Sequence, residues 1–293
     1  MQGLGGRSAW VAESVTRRRV HELIRLRMAG DVDALLDSFT EDVELRYTGS
    51  RLGFFPAGGW QGRQALRDYL RRADIDYEPL EAEVKDVFAE GDRTAVRWTA
   101  SFRRRANGRV HVMDVAHFIR WRQDRIASLD EFVDDHAVSR AAVAPPKALE
   151  DMTDPPGPGL SRDEMARRVT ELGSFSRSGP DIGLFKRYCA PDVVSEFVGD
   201  RAALFYAGRH GGIDALVNII GAINIDFEQV GSTTPQMVID GGGVAARRTV
   251  EWRHRGTSRA GIVELADFVR FEKGLIVELV EFRDNVALLQ MQG

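Results

Sequence analysis

Cysteine is almost missing from the 293-residue chain, which has Cys189 alone. One thiol closes no internal disulfide, and that fits a reducing compartment, so the expected location is the cytoplasm. No apolar run approaches the roughly 18 to 20 residues that a membrane span needs. The stretch from Met1 to Val15 has no basic segment followed by an apolar one, so no secretory leader is expected. Neither sign of charge dominates: 40 Lys and Arg stand against 44 Asp and Glu, a net charge of −4. A bulk basic field is therefore lacking, and neither nucleic acid nor membrane is an expected partner. Metal-ligand spacing is also missing, with no cysteine pair and no His-x-x-x-His run, so neither a metal nor a cofactor is expected.

What is present is a repeat. Shifting the sequence by 150 positions lays one half over the other without gaps. Gly49, Arg51, Phe55, Ala57 and Gly58 return as Gly199, Arg201, Phe205, Ala207 and Gly208. Ile75-Asp76 returns as Ile225-Asp226, and Ala116, Phe118 and Arg120 return as Ala266, Phe268 and Arg270. Glu131-Phe132 and Asp134 match Glu281-Phe282 and Asp284. Between the copies, Pro145, Pro146, Pro155, Pro156 and Pro158 mark a semi-rigid linker. The boundaries read as 13–140 for the first domain, 141–160 for the linker and 161–293 for the second.

Each half opens with helical periodicity. In the first, Val15, Val20, Leu23, Ile24 and Leu26 form a stripe that breaks at Gly30, and Asp31 caps a second helix, as Asp181 does in the second half. A short strand (43–47; 193–198), a glycine-rich connection (53–62) and a third helix (63–71) follow. The remainder reads as strands over 84–88, 94–102, 110–121 and 126–133. Glu90-Gly91-Asp92, Asn107-Gly108 and Lys273-Gly274 supply the turns. The fold class is α+β: two tandem cone-shaped domains, each with three helices on a curved, mostly antiparallel sheet.

These residues resemble a known family. Gly62-Arg63-Gln64-Ala65-Leu66, Glu90-Gly91-Asp92 and the ending Arg120-Trp121…Ile126…Glu131-Phe132-Val133-Asp134 are similar to the nuclear transport factor 2-like fold. They point within it to the SnoaL-like polyketide cyclase and ketosteroid isomerase-related branch. The tail from Asp284 to Gln290 resembles the helix that closes SnoaL-type cyclases. The resemblance implies a cone-shaped pocket and a small hydrophobic ligand or substrate. It also implies that the family's dimer is built into one chain as a pseudo-dimer, with further oligomerisation left open.

The resemblance implies candidate site residues as well. Asp134 and Asp284 match the general acid/base of the cyclases; the plainer alternative is that each caps the end of its strand or the tail. His117 and Asp267 occupy equivalent places, and Ala266-Asp267-Phe268 is similar to the isomerase strand carrying an oxyanion-stabilising aspartic acid. On that analogy Asp267 is a neutral donor and His117 a donor or base. His117 and Asp114 have opposite strand parity, as do Glu131 and Asp134, so one of each pair faces the pocket. Tyr47, Trp60, Trp98 and His210 are candidate substrate contacts, with packing as the alternative. The isomerase's general base has no counterpart at Glu44 or Glu196, which speaks against steroid isomerisation itself. The expected activity is a cofactor-independent cyclase, isomerase or dehydratase acting on a small hydrophobic carbonyl compound. Two alternatives stay open: a non-catalytic binding or scaffolding protein, and an epoxide-opening hydrolase, which needs two acids and an arginine converging.

Overall fold

A computed structural model describes residues 5–48, 58–133, 157–175, 179–199 and 204–293, with side chains from residue 15 onward. The chain divides into two compact units, Met1–Met152 and Thr153–Gly293. In the first, α1 (Gly5–Ala29) and α2 (Val32–Asp37) precede β1 (Phe39–Thr48), a short β2 (Gly58–Gln61) and α3 (Arg63–Asp76). Four long strands follow: β3 (Tyr77–Glu90), β4 (Arg93–Arg104), β5 (Val110–Arg122) and β6 (Arg125–Val133). The second unit runs α4 (Arg162–Leu172), α5 (Ile182–Tyr188), β7 (Cys189–Phe197), β8 (Gly208–Gly211) and α6 (Ile213–Asp226). It continues with β9 (Phe227–Asp240), β10 (Gly243–His254), β11 (Ala260–Glu272), β12 (Leu275–Arg283) and α7 (Asn285–Gln292).

Each unit is a six-stranded sheet of one order, β2-β1-β6-β5-β4-β3 and β8-β7-β12-β11-β10-β9. The meander is antiparallel, and the first strand of each unit joins the last in parallel, β1 on β6 and β7 on β12. Among the described residues, β2 and α3 through β6 carry the boundaries of β8 and α6 through β12 shifted by 150, the repeat written in hydrogen bonds.

Local chemistry explains the element ends. Gly30 closes α1 at φ +69°, and the Asp31 side chain accepts from the Ala34 amide at 3.1 Å to start α2. Asp181 caps α5 through the amides of Gly183 and Leu184. Gly91 at φ +59° and Gly108 at φ +68° turn the hairpins. The register of β3 on β4 slips at Pro79/Glu81 and Val84/Asp86, and that of β9 on β10 at Arg247/Thr249 and Glu251/Trp252. Such bulges bend a strand and raise its twist, curling the sheet around the helices.

One asymmetry matters for the site. Helix α1 continues to Ala29, whereas α4 stops at Leu172 with Gly173 as its C-cap. Among the described residues, Gly173, Ser174 and Phe175 are not helical, so the α1 residues 23–25 have no helical counterpart there. Among the described residues no helix is long and apolar enough to cross a membrane.

Candidate functional site

Period-two alternation on β5 puts Met113, Val115, His117 and Ile119 on the face toward α1 and α3, around a cavity of about 90 Å3. Its walls are mostly apolar: Val20 and Ile24 of α1, Leu66 and Leu70 of α3, and Trp98, Leu129 and Val133 of the sheet. Polar side chains enter at few points, namely Arg27, Tyr69, His117, Glu131 and the edge of Trp98. Asp114, of opposite parity, bonds instead to Thr99 Oγ1 at 2.6 Å. The strand-parity question is thus answered in favour of His117.

Strand register makes the central pair. His117 lies directly opposite Glu131 across β5 and β6. Their side chains meet at 2.8 Å, Nε2 to Oε2, with 13% and 16% of each exposed. The other carboxylate oxygen accepts from Tyr69 Oη at 3.2 Å. Burial, reinforced by the nearby Glu131 charge, holds the Tyr69 hydroxyl well above its ordinary value, so it stays a donor. Trp98 stands edge-on to His117 with centroids 5.6 Å apart, and its buried Nε1–H has no hydrogen-bond partner among the described residues. A histidine held by a carboxylate in an apolar room can take up a proton and have the resulting charge balanced in place.

The second unit arranges the same positions differently. The equivalents of Trp98, His117, Glu131 and Val133 are Arg248, Asp267, Glu281 and Arg283. Arg248 donates from Nε to Asp267 at 2.5 Å and from Nη2 to Glu281 at 3.2 Å, and from Nη1 to the Gly173 carbonyl at 3.1 Å. Arg283 pairs with Glu281 and lies 5.0 to 5.6 Å from the ring centres of Tyr206, Trp252 and Phe197. Two buried arginines thus occupy the interior where the first unit has an indole and a valine. An Asp267 carboxylate held by a guanidinium accepts hydrogen bonds and has no proton to give, so the neutral-donor role expected of it does not fit this ion pair.

The remaining candidates fall elsewhere. Asp134 lies outside the described residues. Asp284 is the N-cap of α7, accepting from the Ala287 amide at 3.1 Å; burial and the Glu264 charge raise its carboxyl above the ordinary value. Tyr47 is packed in the first unit's apolar core. Trp60 leans on Tyr69, centroids 4.7 Å apart, behind the cavity wall. His210 bonds through Nε2 to the Tyr206 carbonyl at 2.8 Å. Burial pushes the Cys189 thiol up to about 12, which removes it as a nucleophile at neutral pH. Among the described residues no group of three or more His, Cys, Asp or Glu could hold a metal ion. Tyr69 and Arg27 were not singled out from sequence; Glu131 entered only as the parity alternative to Asp134, and its return as Glu281 was the further signal available for it.

A curved six-stranded sheet and three helices define a cone-shaped α+β domain, present twice. Residues 20–129 match the model of the SnoaL-like domain family. The first unit is similar to that family over this stretch, and the second repeats the first unit's strand order. Solved structures show similar single domains. An NTF2-like protein from Burkholderia xenovorans is 28% identical over 44% of this chain and 95% of its own, with a TM-score of 0.37. Another, from Burkholderia thailandensis, is 17% identical over 47% and 98%, with a TM-score of 0.39. A Mesorhizobium loti protein provisionally named a SnoaL-like polyketide cyclase is 18% identical over 38% and 93%, with a TM-score of 0.32. No curated protein matches the chain.

Proposed function

We propose that the first unit is the working half, a cofactor-independent acid/base enzyme acting on a small hydrophobic carbonyl compound as an isomerase, cyclase or dehydratase. One observation carries this reading: the His117–Glu131 pair, 2.8 Å apart, on the wall of an apolar cavity. A carboxylate that accepts from Nε2–H fixes the tautomer and leaves Nδ1 as the base. Nδ1 takes a proton from the carbon beside the substrate carbonyl, and the electron pair moves to the carbonyl oxygen as an enolate. Glu131 balances the imidazolium, which returns the proton to the same or another carbon. Positioned acid/base groups contribute roughly 10²- to 10⁴-fold. His117→Gln should therefore lower turnover of an enolisable ketone by about 10²-fold or more while ligand affinity is kept, and Glu131→Gln should lower it in the same sense. Undiminished turnover in His117→Gln would refute the assignment. Binding without turnover in the parent protein would favour the ligand-binding alternative.

A specific observation keeps a second reading in play. Arg248 with Asp267 and Glu281 is the convergence of two acids and an arginine that epoxide opening needs. The same guanidinium also serves the Gly173 carbonyl, and a Cβ added at Gly173 would stand 2.9 Å from its Nη1. That close packing favours a structural ion pair. Epoxide hydrolysis abolished by Asp267→Asn and untouched by His117→Gln would reverse the preference.

A further inference from the structure

Among the described residues, Arg27 is the one cavity-lining cation that the acid/base chemistry does not use. It reaches the wall because α1 outlasts its counterpart α4, and its guanidinium is only partly committed. Nη1 donates to Asp74 Oδ1 of α3 at 2.7 Å, and no other hydrogen bond of this side chain is made among the described residues. Its Cζ lies 5.8 Å from the Phe102 ring centre, and its side chain is 15% exposed. A mostly desolvated guanidinium with unused donors beside an apolar void is a ready partner for an anion.

Distance sets where that anion sits. Arg27 lies against Phe102 and His117 against Trp98, both on the inner face of β4. These two residues are four apart, about 13 Å of strand at roughly 3.3 Å per residue. The wall between them is apolar. We propose that the cavity takes a small hydrophobic monocarboxylic acid, its carboxylate on Arg27 and its apolar body lying toward His117. A carboxylate matches the planar donor fork, and its single charge meets less repulsion from Asp74 than a phosphate dianion would. The inference rests on reading the cavity as a ligand site.

The probes are octanoate and its neutral analogue octanamide, titrated calorimetrically against the full chain. Octanoate should bind about tenfold tighter than octanamide, the preference a charge-assisted pair gives. Arg27→Met should bring the ratio near one, Arg27→Lys should keep part of it, and His117→Gln should leave it unchanged. Asp74→Asn keeps Arg27 and removes its competitor, so it should tighten octanoate; it decides the matter should Arg27→Met fail to fold. Equal binding of the two probes, or a preference that survives Arg27→Met, overturns the proposal. If octanoate does not bind while an enolisable ketone is still turned over through His117, this inference fails and the acid/base reading stands. If neither probe binds and His117→Gln is without effect, both fail.

Discussion

Replacing Arg248 with methionine tests the view that the second unit's interior is a closed ion-pair network. The substitution keeps much of the side-chain volume and removes the cation between Asp267 and Glu281. All three side chains are at most 10% exposed, so solvent screens them little. Breaking a buried pair by deleting one partner costs about 3 to 5 kcal/mol, because a charge is left buried and unpaired. Arg283 remains beside Glu281, so Asp267 is the orphan and the lower figure, about 3 kcal/mol, applies. In a folding unit of this size about 1 kcal/mol shifts Tm by roughly 3 °C, so the loss should be near 10 °C. Urea unfolding followed by circular dichroism, with calorimetry alongside, measures it. The double variant Arg248→Met/Asp267→Asn removes the orphaned charge and should recover most of the loss. A cost below about 1 kcal/mol for Arg248→Met, typical of exposed pairs, would refute the reasoning.

Three more outcomes are expected. The raised carboxyl of Asp284 opposes folding while ionised, and this penalty fades as pH falls through its folded value toward the ordinary 3.8. Asp284→Asn keeps a capping side chain without the charge, so it should match or exceed the parent's Tm at pH 7, with the difference narrowing toward pH 4 in paired melts. Asp181→Ala removes the cap on Gly183 and Leu184 and should cost about 1 kcal/mol in urea unfolding, with no change in the selectivity of the first unit's cavity. For the expected pseudo-dimer, a protease site placed after Lys147 and cleaved in the folded chain should leave two halves that co-elute on gel filtration; separation into monomers would end that expectation.

Much of the fold was legible because it rests on local rules. The repeat at 150 positions is readable from residue identity and reappears as equal strand boundaries from β2 to β6 and from β8 to β12. Asp31 and Asp181 cap helices, and Gly91 and Gly108 turn hairpins, because those residue types satisfy end amides or tolerate positive φ. The short strands β2 and β8 were not legible: four residues in a glycine-rich connection have no periodicity to show, and only pairing with β1 and β7 makes them strands.

For the site, sequence determined that His117 and Asp114 point to opposite faces and that Asp267 is the repeat's answer to His117. Which face is inside, and what stands opposite, was decided by tertiary structure. Residues 117 and 131 meet because β5 and β6 pair in one register, and a one-residue slip would have put Glu131 on the other face. The same register gives Asp267 its Glu281, yet Arg248, reaching across from β10, turns the position equivalent to His117 into part of an ion-pair network. Alternation fixes a side chain's direction from its neighbours along the chain. Its partner, and with it its charge state and chemistry, comes from strands and helices distant in sequence, whose placement depends on packing the whole unit.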